Sequence, residues 1–423
     1  MNINDIKSRI NSGYYDQIFA TLYSDVNSAR ERYLKALSGF EELYGDKDNI
    51  RLFSAPGRTE IGGNHTDHQH GCVLAGSVDC DVIAVVSENG NDTVSIKSEG
   101  YPRDYVNINE LAPDSDEFGH ASSLIRGVLS GFSEMGYSMG GFDAYTTSSV
   151  LKGSGLSSSA AFEVLVSNIV NSLFCEGKVD AVTIAKLSQR AENVFFGKPS
   201  GLLDQMASSV GGFTFADFND PKNPQIEKID IDLQESDYTL CVVDTGGNHS
   251  DLTGDYADIT TECKAVSNYL GVEFLRDADS DRFYKEMANI RKTCGDRATL
   301  RAFHFFNENS RVLSQKEALK NSDFEEFIRL VNESGESSYK YLQNLYSNSN
   351  VREQGLSLAI ALTKQFLNGK GACRVHGGGF AGTIQCYIPK EMLSDYKNMI
   401  EAVYGEGACM PLKIRSLGGT ELV

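Results

Sequence analysis

Residues 153–161 read Gly-Ser-Gly-Leu-Ser-Ser-Ser-Ala-Ala. A β-type segment at 141–150 leads into them and an amphipathic helical segment at 160–174 leads out. Two glycines let the backbone approach a ligand closely. Three hydroxyls and the unpaired N–H groups of a helix start then converge on one spot. Such a spot favours an anion, and phosphate is the usual one. The closing Gly-Lys-Ser/Thr of a Walker A loop is missing, so this is a phosphate cradle of another kind.

The segments around the loop set the fold class. Apolar residues recur at three- and four-residue steps through 1–45, which predicts helix. Strand-like runs follow at 50–55, 78–86 and 94–97, with helical spacing at 122–135 and 180–196, the latter stopped by Gly197 and Pro199. Beyond Gly211-Gly212 come strand-like runs at 213–218 and 238–243 and a helix-rich stretch at 253–366. A strand at 383–388 and a helix at 390–404 complete the pattern. Strands and helices mix without strict alternation, which predicts an α+β fold. The expected divisions are a helical extension at 1–50, a first domain at 51–212 and a second at 213–423. The 423 residues suffice for two cores.

Charge narrows the partners. The chain has 39 basic and 58 acidic residues, a net charge of −19. That disfavours nucleic acid and anionic membrane. An anionic substrate would need locally placed cations or Mg²⁺. No apolar stretch reaches membrane-span length, and no apolar run follows the N-terminal charges as in a signal peptide. The nine cysteines are scattered without a Cys-x-x-Cys and read as reduced thiols of a cytoplasmic protein.

Four constellations carry chemistry. In Ala55-Pro56-Gly57-Arg58 and the following 62–71, Arg58 offers a fixed cation, and His65 and Asp67 offer hydrogen bonds to a polyol. A surface turn capping its own backbone reads the same residues differently. His65, His68, His70 and Cys72 also have spacings seen in zinc sites. Alternating positions in one short loop converge poorly on one ion, however, and no second cluster completes a tetrahedron. Glu192 and Asp204 pair a late-helix carboxylate with one in the first turn of a short segment, 201–210, whose positive end keeps Asp204 ionised. Together they suit a Mg²⁺ ligand and a proton acceptor, or else a solvated side chain and a helix cap. His249-Ser250 with Tyr256 follows a strand end. The glycine run 377–382 is a set of tight turns or a backbone approach to a ligand.

Taken together and in order, these pieces resemble the GHMP superfamily of small-molecule kinases, and within it the galactokinase family. The family's first motif, Gly-Arg-x-Asn-x-Ile-Gly-Glu-His-x-Asp-Tyr-x-x-Gly, stands here as GRTEIGGNHTDHQHG at 57–71. Its second stands as GSGLSSSA at 153–160. Its Ala-Glu … Gly-Ile-Met-Asp-Gln stands as Ala191-Glu192 … Gly201-Leu202-Leu203-Asp204-Gln205, and its third motif as GGGFAG at 377–382. The resemblance implies two domains with an active-site cleft between them, and ATP, Mg²⁺ and a sugar as ligands. It implies that Gly153, Ser154, Gly155, Leu156, Ser157, Ser158 and Ser159 cradle the ATP phosphates, and that Ser158, or an adjacent serine, and Glu192 hold Mg²⁺. It further implies Asp204 as acceptor of the proton on the C1 hydroxyl, with Arg58 steadying charge. His65, Asp67 and Tyr256 would touch the sugar.

The departures bear on the substrate. The family's asparagine is Glu60 here. Its glutamate, expected at the C6 hydroxyl, is Asn64. Its tyrosine after the aspartate is His68, and the proline opening the second motif is Leu151. The residues matching a nucleotide-pocket Trp-x-x-Tyr are Ala121 and Leu124, which leaves the base contacts unassigned. Asparagine donates as well as accepts, so Asn64 at the substrate would tolerate a C6 carboxylate. Galactose is the expected substrate, with galacturonate as the alternative. A non-catalytic sugar sensor is a further alternative, disfavoured because the serine loop, Glu192 and Asp204 are all retained. Mevalonate and homoserine leave the His65-x-Asp67 loop unexplained.

Overall fold

The computed structural model describes residues 1–150, 155–247 and 252–423. Leu151, Gly153, Ser154 and the His249-Ser250 pair lie outside the described residues. Three helices open the chain: α1 (Ile3–Asn11), α2 (Asp16–Leu22) and α3 (Val26–Tyr44). Asn2 and Asp25 cap α1 and α3 by accepting from first-turn N–H groups. Then follow β1 (Arg51–Gly62), β2 (Cys72–Glu88), β3 (Thr93–Ser98), β4 (Arg103–Asn107), α4 (Ala121–Glu134), β5 (Phe142–Ser148), α5 (Ser158–Phe174) and α6 (Ala181–Arg190). A π turn, Ala191–Phe196, extends α6, and α7 (Leu203–Val210), β6 (Phe213–Asp217) and β7 (Gln225–Ile229) come next.

These strands and β12 (Thr420–Glu421) form an eight-stranded sheet in the order β12-β1-β2-β5-β3-β4, with β6 paired to the first residues of β2 and β7 paired to β6. Side chains alternate across it with the period of two that a strand dictates. Phe53, Ala55, Val82, Ala84 and Val86 enter the core shared with α4 and α5. Leu52, Ile83 and Val85 face the other way, where α1–α3 cover them. The N-terminal helices therefore seal the back of the sheet. Asp81, fully buried, ties that seal together. It accepts from Tyr23 Oη at 2.6 Å and pairs with Arg32 of α3, Ser54 of β1 and Arg415 of the C-terminal segment. Burial raises its pKa, but the two arginines more than offset this and hold the carboxylate below its ordinary range.

The second sheet contains β8 (Tyr238–Asp244), β9 (Ala372–His376), β10 (Thr383–Pro389) and β11 (Cys409–Leu412) in the antiparallel order β11-β8-β10-β9. The helices α8 (Thr253–Tyr269), α9 (Ser280–Cys294), α10 (Asp296–Lys320), α11 (Phe324–Ser337) and α12 (Gly355–Leu367) lie between β8 and β9, and α13 (Leu393–Tyr404) follows β10. The chain then returns to add β12 (Thr420–Glu421) to β1. At the expected division Gly211 and Gly212 turn the chain; β6 and β7 beyond it still belong to the first sheet, and the second sheet begins at β8. No helix among the described residues is long and apolar enough to cross a membrane.

Candidate active site

The site forms where β1 leaves the first sheet and meets β9 and β10 of the second. A register shift between Pro56 and Arg58 re-aims the strand, and the Arg58 N–H donates to the Leu156 carbonyl at 3.0 Å. Arg58 Nε lies 2.7 Å and Nη2 2.6 Å from Asp204 Oδ1, and Nη1 reaches the Gly155 carbonyl. Ser157, in the left-handed region at φ 58°, donates its hydroxyl to Asp204 Oδ2. One aspartate thereby joins the first motif, the serine loop and α7. Two cavities meet at this junction.

The first cavity has about 570 Å³ of open space and is lined by Arg58, Glu60, Asn64, His65, Asp67 and Asp204, among others. Asp67 faces Gly201: a Cβ there would stand 2.6 Å from Asp67 Oδ2. Gly201→Ala therefore pushes that carboxylate out of place, and a displacement of about 1 Å can cost about 10²-fold in rate. The expected outcome in steady-state kinetics is a sugar KM raised about tenfold or more. An unaltered KM would remove Asp67 from the binding role.

His65 donates from Nε2 to the Gly378 carbonyl at 2.8 Å. Burial, then the neighbouring His68, pulls its pKa down to about 4. Tyr256 donates its hydroxyl to the Gly379 carbonyl at 2.8 Å and packs its ring on Gly378, so it braces a wall of the cavity without lining it. Gly379 has φ 86°, and a Cβ there would come within 2.1 Å of the Asn344 carbonyl, which accounts for the glycine run.

Asn64, expected at the sugar, lines this cavity while its amide is engaged within the protein. Its side chain is fully buried and its polar capacity is saturated inside the protein. Nδ2 donates to Glu60 Oε1 and the Gly377 carbonyl, both at 2.8 Å. Oδ1 accepts from Asn344 at 2.7 Å and from Ser338 at 3.4 Å. The amide thereby clasps the two sheets together.

The second cavity, with about 770 Å³ of open space, is lined by Gly155, Ser157, Ser158, Ser159, Lys198, His376 and Gly377–Gly379, and it shares Arg58 and Asp204 with the first. The start of α5 presents its N–H groups here. Leu156 is buried below the loop. Glu192, in the π turn, is buried and accepts from Ser159 Oγ at 3.0 Å, Lys198 Nζ at 2.8 Å and Gln205 Nε2 at 2.8 Å. Ser159 is thus the serine bonded to Glu192, while Ser158 lines the same cavity. Gln205 also donates to Glu163, which is wholly buried. Burial, then the Glu192 charge, raises the Glu163 pKa well above the ordinary carboxylate range.

These residues fit Mg²⁺. Among the described residues no group of three or more His, Cys, Asp or Glu could hold a metal ion by itself. One carboxylate beside hydroxyls, in a cavity shaped for phosphates, is how Mg²⁺ is usually held, with substrate oxygens completing its shell. The zinc spacing disperses: His65 turns to Gly378, His70 stacks on Phe274 at 3.6 Å between ring centroids, and Cys72 is buried beside Arg276.

Residues 38–88 match the galactokinase galactose-binding signature, and residues 123–212 match the GHMP kinases N-terminal domain. The galactokinase of Streptomyces coelicolor is 32% identical over 348 residues, covering 81% of this chain and 86% of that protein. The chain belongs to the galactokinase family. Another galactokinase, from Lactobacillus helveticus, is 30% identical over 362 residues, covering 84% of this chain and 89% of its own. Among solved structures, Lactococcus lactis galactokinase complexed with galactose superimposes with a TM-score of 0.76, at 23% identity, over 92% of this chain and 99% of that one.

Members of the galactokinase family are phosphotransferases acting on a sugar hydroxyl, and so is this chain. Sequence reasoning had not found Glu163, Lys198, Arg374 or His376 at this galactokinase-family site, and Glu60 stood there only as a departure from the motif. His376 Nε2 lies 3.4 Å from the Glu60 N–H and 3.1 Å from Thr59 Oγ1. Burial, then Arg58 and Arg374, keeps His376 neutral. His304 is likewise held neutral by burial and donates from Nε2 to the Asn64 carbonyl at 3.0 Å.

Three histidines of the cleft thus have folded pKa values below the ordinary 6.5. As pH falls from 6.5 towards 4, the unfolded chain takes up protons that the native state refuses, so native stability is lost across that window. Thermal melts are expected to drop by several degrees between pH 7 and pH 5. A flat profile would contradict the neutral assignments.

Proposed function

We propose that this chain transfers the γ-phosphoryl group of ATP to the C1 hydroxyl of galactose, with Mg²⁺. The observation that carries the reading is the pair Arg58–Asp204 standing where the polyol cavity and the phosphate cavity meet. An acceptor hydroxyl from one side and a phosphoryl group from the other can converge there.

The chain's own groups divide the work. The α5 N–H groups and the serine hydroxyls hold the phosphates. Arg58 engages Asp204 Oδ1, which leaves Oδ2, the oxygen now carrying the Ser157 hydroxyl, to receive the sugar proton. As the sugar oxygen bonds to phosphorus, the bond from phosphorus to the ADP oxygen breaks and the hydroxyl proton passes to Asp204. Asp67 and His65 orient the ring. Glu192 with Ser159 or Ser158 would hold Mg²⁺, which supplies neutralisation of phosphate charge.

The test is ADP release from ATP and Mg²⁺ with a panel of hexoses, the product position being read by phosphorus NMR. Galactose is expected to give an anomeric phosphate. Absence of turnover with every hexose, in protein that binds both ligands, would leave only the sensor reading.

A further inference from the structure

We infer that Glu60 is the specificity residue of the sugar cavity: its carboxylate accepts the hydroxyl on the exocyclic carbon of the sugar and excludes sugars that carry a carboxylate there. The inference rests on the galactose reading and deepens it.

Glu60 and Arg58 pair with Ala75 and Ser77 of β2 in unbroken register, so they share a face of β1, two residues apart. That places them about 7 Å apart along the strand. Arg58 marks the reacting end of the cavity through Asp204. One pleat repeat further is about the length of a hexose ring with its exocyclic carbon, so Glu60 stands where that carbon ends.

Both bonds to the Glu60 carboxylate fall on one oxygen. Oε1 accepts from Asn64 Nδ2 and from Arg374 Nη2, each at 2.8 Å. Oε2 is left for a ligand, and Glu60 lines the cavity. Arg374 is fully buried and absent from the lining; its Nε and Nη1 have no partner among the described residues. The cation therefore stands behind the wall and the anion forms it. A hydroxyl can donate to such a wall, whereas a second carboxylate meets a like charge, and Arg58, the cation that lines the cavity, is already paired with Asp204.

The same geometry explains two sequence departures as one event. The family motif has Asn at position 60 and Glu at position 64, and this chain has them exchanged. The side chains touch, so the exchange keeps an amide–carboxylate pair and moves the carboxylate along the strand. The uronate alternative, which needs an available Asn64 amide, loses its basis.

The test compares galactose, 6-deoxygalactose, galacturonate and the neutral methyl ester of galacturonate, by kcat/KM and by calorimetric binding, in the wild-type protein and in Glu60→Gln. The wild type is expected to prefer galactose over galacturonate by about 100-fold or more, and to accept the ester better than the acid. In Glu60→Gln, galactose is expected to lose about 10- to 100-fold, chiefly in KM, and the galactose-to-galacturonate ratio to shrink by at least about tenfold. A wild type that uses galacturonate as well as galactose would overturn the inference, as would a variant that binds galactose with the ratio unchanged. The wild-type comparison decides even if the variant fails to fold. A protein that neither binds nor phosphorylates any of the four sugars overturns the galactose reading itself, and the inference with it.

Discussion

Asp204→Asn is expected to lower kcat by about 10²–10⁴-fold while sugar and ATP binding stay within a few-fold. The carboxylate has two oxygens in different company. Oδ1 lies against Arg58 Nε and Nη2, and Oδ2 accepts the Ser157 hydroxyl. An asparagine can still offer its carbonyl oxygen to Arg58, so the side chain stays in place. Its NH2 group then faces Ser157 and the incoming sugar hydroxyl, a donor set against donors, and it cannot accept a proton. Arg58, nearly buried, loses its counter-charge, but its hydrogen bonds to the amide oxygen and the Gly155 carbonyl remain. The stability loss is therefore smaller than the few kcal/mol of a fully broken buried pair. Single-turnover measurements with a matched melting curve separate the two effects. A folded Asp204→Asn protein with wild-type kcat would end the assignment of this residue as the base.

Glu192→Gln is expected to reduce kcat/KM for ATP by about 10²–10³-fold, equivalent to several kcal/mol of lost charge neutralisation. Glu192 sits in a π turn, a local widening that proteins often place at functional sites. Its oxygens serve Ser159 and Lys198 on one side and Gln205 on the other. Whichever way the new amide faces, its NH2 confronts a donor already aimed at it. Binding of Mn²⁺ to the protein–nucleotide complex, followed by magnetic resonance, reads the loss independently of turnover. If Mn²⁺ bound equally well to Glu192→Gln, the metal would have to be held elsewhere.

What the sequence made legible follows from where each residue sits. Ser157, Glu192 and Asp204 stand on a turn or near a helix end, and such positions leave local signatures of glycine, hydroxyl and cap residues. The Val82–Val86 stretch of β2 and the Leu240–Val243 stretch of β8 show as continuous apolar runs because both faces are covered. The edge strands β4 and β7 were missed because they are short and half polar, which is how a sheet margin protects itself. Glu163 left one trace: a carboxylate amid Ala161, Val164, Leu165 and Val166. Arg374 left none that could be joined to Glu60. Their contact spans 314 residues of chain and exists only because two sheets meet. Asn64 was read as an open amide, since all its captors but Glu60, namely Gly377, Asn344 and Ser338, lie 274 or more residues away along the chain.

The floor of the cleft is sewn, not hinged. Thr59, Glu60 and Asn64 on one side are bonded to Arg374, His376, Gly377 and Gln385 on the other, beneath both ligand cavities. Neither half completes its own interior: Arg374 without Glu60 would be a bare charge in the dark, and Glu60 without Arg374 another. The enzyme's halves are thus not modules that evolution could shuffle or an engineer could swap singly, and a graft from any cousin must carry both banks of the seam.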